Sequence, residues 1–533
     1  MRIYIQDLGG SDASAAAREL RYFLSRFSPD TVAEDTASAG AVIRLETVEA
    51  EDRGYSVTRG TDDGGRPVVS VRGSDGAAVL YAVYRLLERG GMYFDIGGHG
   101  LKAGYSVIDT EKMLGDAGEK VVFDFRRRGI RQHINFPMDF SSWRLGEAKE
   151  YIRSIARAGY DHITFHSYSG MWHSADSAYG GGGFFYNQLY RLPHDEELRK
   201  LIDNEEIYCV PEFEPYADDR QARGRAANRW LNSLISVAHE HLMSVTLSIE
   251  PLGSDDPAAQ INMARRVLEG YPDIDCLEII SAECGGSTPA FDASELAERL
   301  REYFGEAAVV PEKLPDRIDA NIAGAMHSLR AAKQIYDALR DRELKGKSFS
   351  AGMYITTAEA LNIIKPIMFR LFDESVTMSF LTSYGSYHVA KNLREMSFTA
   401  DELRRTMIYA WLEFDGSMYM MQNGSEGMER VFRLVREVTG GKQAGCVAFN
   451  HWRTAENLLP GSYGAAAGAG FIPAKEYYAV YGGRYALGEG FAPLMAEIAE
   501  ADLLLREKLF NIGFCYLGCY LNWGGDDPVS WLA

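Results

Sequence analysis

Two glutamates stand where apolar runs turn abruptly polar. Glu283 closes CLEIISAE before CGGS, and Glu413 stands at the end of TMIYAWLEF, with one residue between it and DGS. A carboxyl group at such a junction is held by a core on one side and can meet a ligand on the other. Two carboxyl groups across one cleft can break a glycosidic bond. One protonates the leaving oxygen, and the other attacks the anomeric carbon or activates water. Glu283 is assigned the acid, kept protonated by partly apolar and like-charged surroundings. Glu413 is assigned the ionised partner, with Asp415 its nearest rival. Other apolar runs end on His166 and Tyr168, on Glu250, on Tyr384 and His388, and on Asn450, His451, Trp452 and Arg453. With Asp415 these form the expected substrate-binding set. Their rings can stack on a pyranose, and their polar atoms can hydrogen-bond its hydroxyls. Arg453 can hold a uronic carboxylate in a bidentate pair, or it can hold Glu456 in place.

Each residue also has a plainer role open to it. A Glu after a strand can cap the next helix, and a His can be a satisfied packing residue. Trp172, Trp411 and Trp452, taken singly, suit a core. Three histidines, His166, His388 and His451, with Glu250, could instead ligate Zn²⁺ or Mn²⁺ in a hydrolase, lyase or isomerase. No HExxH spacing occurs, and these three histidines come from separate runs, so neither metal nor cofactor is expected. A third reading is a carbohydrate-binding protein without the chemistry.

The elements that must position these residues begin with Gly129 to His166. A short strand leads into a helix whose Ala148, Tyr151, Ile152, Ile155 and Ala156 fall at three-and-four spacing. Ser141 or Ser142 can start that helix, and Gly159 stands where it must stop. A second strand, Ile163 to His166, completes a right-handed βαβ unit. The rhythm repeats through strands in SVTLSIEPL, CLEIISAE, SAGMYIT, VTMSFLTSYG, TMIYAWLEF and GCVAFNHW. This predicts a (β/α)₈ barrel over residues 120–465, with the candidate residues at the C-terminal ends of its strands. The Gly- and aromatic-rich segment from Ser169 to Arg225, which contains Glu212 and Glu214, is expected to be a large loop on that face. The arginines Arg126, Arg127, Arg128 and Arg131 fall mostly on the N-terminal side of the first strand, so a solvated or interface role is expected of them. Residues 466–533 read as C-terminal helices.

Residues 1–115 have a different order: strand, helix, strand, a hairpin turning on DDGG, and a helix in GSDGAAVLYAVYRLLERGG. Helices on one face of a sheet are expected. Gly73, Gly76, Tyr81, Tyr84 and Gly91 in this stretch resemble the small N-terminal α/β domain of β-hexosaminidases and α-glucuronidases. That resemblance implies that a TIM barrel follows. The placing of Glu283 and Glu413 after the fourth and seventh strands is similar to that in the large clan of retaining glycosidases. The clan usually has Asn before the first of these, where Ala282 stands here. Hexosaminidases that use the substrate's acetamido group carry Asp–Glu there, and Ala282–Glu283 does not match it.

The formal charge of −19 over 533 residues argues against a nucleic-acid groove or an anionic membrane as partner. The expected partner is an oligosaccharide or glycoside, and self-association is left open. The six cysteines form no CxxC pair. With no signal peptide seen in MRIYIQDLGG, reduced thiols in the cytoplasm are expected.

Overall fold

The computed structural model describes residues 1–29, 31–115, 118–134, 143–167, 212–216, 219–286, 288–313, 315–354, 356–383, 386–412, 425–451 and 458–509. The N-terminal part is built on β1 (Ile3–Asp7), β2 (Ala41–Thr47), β3 (Gly54–Thr61) and β4 (Pro67–Gly73). A small hairpin, β5 (Met92–Asp95) with β6 (Gly98–Leu101), follows, and then β7 (Glu119–Val122). The sheet order is β1-β2-β4-β3-β7. Its last strand lies beyond residue 115, where the sequence suggested the domain would end. The β3–β4 turn forms on the DDGG stretch. Asp62 Oδ1 accepts from the backbone N–H of Gly64 (3.1 Å) and of Arg66 (2.9 Å). The helices Ser11–Phe27 and Gly76–Arg89 bury Leu20, Phe23, Leu24, Val79, Val83 and Leu87 in one apolar cluster with the sheet. Asp75 starts the second helix by accepting from Ala78 N at 2.8 Å.

Eight parallel strands then close a barrel: β8 (Phe125–Ile134), β9 (His162–Ser167), β10 (Ser244–Ile249), β11 (Cys276–Ile280), β12 (Ser348–Tyr354), β13 (Val376–Leu381), β14 (Thr406–Trp411) and β15 (Ala444–Asn450). All eight fall on the apolar runs read from the sequence. TMIYAWLEF is a strand as far as Trp411. The helix Leu145–Ala158 ends at Gly159, whose φ of 116° and ψ of 12° are the left-handed conformation that glycine takes without penalty. The helix before β10 starts at Arg220, six residues earlier than the apolar spacing suggested, because Asp219 caps it through Ala222 N. The apolar outer faces of the strands, with Ile130, Ile163, Phe165, Leu247, Ile279 and Phe380, join the helices in one large core. No helix among the described residues is long and apolar enough to cross a membrane.

The N-terminal sheet and helices dock on the closed, N-terminal end of the barrel. Arg53 bonds Asp75 at 2.6 Å and Asp161 at 2.8 Å, and Arg128 meets the same Asp161 at 3.1 Å. Burial alone would push the Asp161 carboxyl up, but Arg128 and then Arg53 hold it well below the usual range. Glu19, on the first helix, accepts from Arg157 Nε at 2.9 Å and from the Tyr84 hydroxyl at 3.1 Å. Arg128 is thus the interface residue expected of it. Arg131 is not solvated: it is fully buried inside the barrel. The helices Leu458–Ala469 and Ala474–Tyr485 clamp the small hairpin. Arg484 Nη1 donates to Ser462 Oγ at 2.7 Å, and Tyr485 donates to Asp95 at 2.8 Å.

Candidate active site

A (β/α)₈ barrel is usually filled by layers of Val, Ile and Leu. This one is filled largely by polar and aromatic side chains. Contacts between strands that are not neighbours in the sheet can only run through the interior, and they identify the inward residues. The Arg131 guanidinium on β8 lies 4.7 Å from the Tyr354 ring on β12 and 5.0 Å from the Tyr409 ring on β14. Tyr409 OH reaches both oxygens of Glu278 on β11 at 3.1 Å, and stands 3.3 Å from Thr164 Oγ1 on β9. Ser350 on β12 adds a 3.1 Å bond to Glu278. Period-two alternation explains the set: Arg131 and His133 on β8, and His162, Thr164 and His166 on β9, all face inward. Space is short here. A Cβ on Gly352 would stand 2.2 Å from Ser379 Oγ, so only glycine lets these strands carry their large neighbours.

Toward the C-terminal end, His133 packs 5.5 Å from His166, 5.7 Å from Trp411 and 6.0 Å from Tyr354. Arg131 Nη1 donates to His133 Nε2 at 2.7 Å, and since a guanidinium only donates, that nitrogen accepts. Burial, and then the Arg131 charge, push His133 and His166 well below the ordinary imidazole range, so both rings are neutral. His166 Nδ1 meets Ser248 Oγ at 3.0 Å. Asn450, the last residue of β15, accepts from Arg131 at 3.3 Å through its Oδ1.

The carboxylates stand on adjacent strand ends. Glu250 directly follows β10 and is buried; Glu283 begins a one-turn 3₁₀ helix after β11 and is half-buried. The Glu283 backbone N–H points to Glu250 Oε1 at 3.4 Å. Ser281 Oγ accepts from Tyr354 N at 2.8 Å, tying this turn to the end of β12. The helix Ala320–Leu339 lies so close that a Cβ on Gly324 would fall 2.4 Å from Gly285 Cα.

Of the residues singled out from sequence, His166, Glu250, Glu283 and Asn450 therefore gather at one end of the barrel. His451 is turned the other way, into the seam between strand and helix. Its Nδ1 lies 2.5 Å from the hydroxyl of Tyr151, which Gln132 Nε2 also bonds at 2.9 Å, and its ring is stacked on that of Tyr151. Alternation accounts for this, because Asn450 faces in and its neighbour must face out. The His388 backbone lies in the helix Ser386–Glu395. Tyr168, Tyr384, Glu413, Asp415, Trp452 and Arg453 lie outside the described residues, as does the His388 side chain. Sequence reasoning passed over Arg131, His133, Glu278, Tyr354 and Tyr409. A signal was there: polar residues at every second position of HITFH, and Arg131 and His133 two apart on the strand before it, mark a polar inner face. Among the described residues, no three His, Cys, Asp or Glu side chains form a group that could hold a metal.

Neither a protein-family model nor a curated protein matches this sequence. Solved structures do. A GH138 enzyme targeting pectin rhamnogalacturonan II superposes over 90% of this chain with a TM-score of 0.52 at 9% identity. The glycoside hydrolase CpGH84D superposes over 90% with a TM-score of 0.50 at 10% identity. The chain corresponds to 53% of the length of the first and 68% of the second. A GH20 β-N-acetylhexosaminidase from Streptomyces coelicolor also aligns, over 91% of the chain, with a TM-score of 0.45 at 12% identity. The likeness to the first two is one of fold.

Proposed function

We propose that this protein is a glycoside hydrolase that acts at the end of an oligosaccharide. The observation that carries the reading is the pair of glutamates, Glu250 and Glu283, on adjacent strand ends at the C-terminal face of a closed barrel. Glu283 is the proton donor. Glu413, two residues beyond the end of β14, is the ionised partner, and Asp415 is its fallback. Glu250, buried beside the Glu283 turn, holds that turn and binds substrate. The neutral imidazole of His166 and the Asn450 amide suit sugar hydroxyls, and Trp411 and Tyr354 supply aromatic faces near them.

The test is a panel of aryl glycosides and uronides, in both anomers, with the purified chain. The reading predicts hydrolysis of at least one member and no loss on treatment with a chelator. A protein carrying stoichiometric Zn or Mn, with activity lost to chelator and restored by metal, would instead be a metal-dependent hydrolase. A protein that binds sugars but hydrolyses none of the panel would be a binding protein.

A further inference from the structure

Arg131 is fully buried, and among the described residues no carboxylate is hydrogen-bonded to it. Its Nη1 donates to His133 Nε2 at 2.7 Å and to Asn450 Oδ1 at 3.3 Å. Both acceptors are neutral. Its Nε and Nη2 have no hydrogen-bond partner among the described residues, and neither has Asn450 Nδ2. The Tyr354 and Tyr409 rings, at 4.7 and 5.0 Å, bring electron-rich faces but no negative charge. A carboxylate does exist in the barrel. Glu278, however, is hydrogen-bonded to Ser350 and Tyr409, each at 3.1 Å, and not to Arg131. Tyr409 stands between the two charges, with its hydroxyl on Glu278 and its ring on Arg131.

A buried cation without a hydrogen-bonded counter-charge is expensive to maintain. Such a site favours a ligand that brings a hydrogen-bonding negative charge with it. We propose that Arg131 Nη2 and Asn450 Nδ2, two unsatisfied donors inside the barrel, form a carboxylate subsite, and that the sugar bound here is a hexuronate. This rests on the glycosidase reading and names its substrate class. The guanidinium edge matches the geometry of a carboxylate, and an amide N–H adds a donor without adding charge. A sugar hydroxyl could accept from the same donors, but it would leave the Arg131 charge in place. Asn450 ends β15 and is paired in register with Arg131 on β8, one inward step below His133.

Calorimetric titration of the purified chain with D-glucuronate and D-galacturonate, against D-glucose, D-galactose and sodium acetate at matched ionic strength, tests the charge preference. A hexuronate should bind at least about tenfold more tightly than its neutral hexose, which a charge-assisted pair readily supplies. In kinetics, Arg131→Gln should lower the ratio of kcat/KM for an aryl uronide to that for the matching hexoside by about tenfold or more. Arg131→Lys, which keeps the charge and loses the fork, should recover part of that ratio. If Arg131→Gln does not fold, Asn450→Leu and the wild-type titration decide. Equal binding of hexuronate and hexose, binding of acetate alone, or an unchanged ratio in the variants would overturn the subsite and mark Arg131 as a counter-charge for Glu278. Hydrolysis of neutral hexosides without uronate preference would remove the subsite and leave the glycosidase reading. Tight uronate binding with no hydrolysis of any glycoside would do the reverse.

Discussion

At Glu283 the shape of the side chain and its proton can be separated. Glu283→Gln keeps the first and removes the second. For substrates with poor leaving groups kcat/KM should fall by about 10²–10⁴-fold, the usual worth of a positioned general acid. Activated aryl glycosides, whose leaving group needs little protonation, should lose far less. Glu413→Gln should damage both kinds of substrate, and azide should rescue Glu413→Ala only if Glu413 attacks the sugar. Near-normal rates for both Gln variants on a poor-leaving-group substrate would end this assignment. The environment of Glu283 was partly legible in the sequence, since an apolar run followed by CGGS is a strand end and not a good helix start. Its neighbour Glu250 was legible as a strand end too. Their adjacency follows from the barrel order, but the contact of the Glu283 N–H with Glu250 Oε1 does not, because it depends on the register and the turn after β11.

At the scale of elements, the turn that carries Glu283 is set by a glycine-to-glycine approach. Gly285 has a φ of +83°, and a Cβ there would meet the Ala320 carbonyl oxygen at 2.0 Å. A Cβ on Gly324 would meet Gly285 Cα at 2.4 Å. Neither contact can be relieved by turning a flexible side chain, so Gly324→Ala must push the helix Ala320–Leu339 and the Glu283 turn apart. The overpacking should cost about 1–3 kcal/mol. The displaced carboxyl should cost a further drop in kcat/KM of roughly tenfold or more, since errors near 1 Å are felt strongly in catalysis. Gly159→Ala is the comparison. It places a Cβ 2.7 Å from the Tyr81 ring at the far end of the barrel, on a backbone with φ +116°. It should lower Tm while kcat/KM below the transition holds. Parallel losses of Tm and activity in both variants would show that the Gly324 contact has no special hold on the site.

For the molecule as a whole, the N-terminal part and the barrel share buried ion pairs, and these make stability depend on pH. Burial would raise the Glu19 carboxyl, but hydrogen bonding and charge from its basic neighbours bring it down to about 2 from 4.5. His241 Nε2 stands 3.7 Å away, beyond hydrogen-bond reach, so the 2.9 Å bond from Arg157 is the main holder. A carboxyl whose pKa falls on folding stabilises the fold above its unfolded value. That stabilisation is complete above about pH 4.5 and is lost as the pH drops toward about 2, amounting to about 3 kcal/mol. Glu19→Gln should therefore be less stable than wild type at pH 7 by roughly that amount or more, because Arg157 is left buried. The gap should narrow steadily below pH 4.5. Urea unfolding at pH 7 and at pH 3 measures it, and a gap that does not change with pH would reject the linkage.

The eight barrel strands, the βαβ order, the stop at Gly159 and the DDGG hairpin were all readable along the chain. These depend on apolar periodicity and on turn residues, which are local properties of the chain. The sequence also marked the strand ends as the place for chemistry. Which face each polar residue takes was settled by folding of the whole barrel. A shift of one residue along a strand sends Asn450 into the barrel and His451 into the helix seam, although both are polar and adjacent. Closure of the sheet decided the rest. Arg131 looks from sequence like one of four basic residues around a strand. It becomes a buried group with no hydrogen-bonded carboxylate among the described residues only when β8, β12 and β14 enclose it, because burial and the choice of partners are properties of the closed barrel and not of any segment.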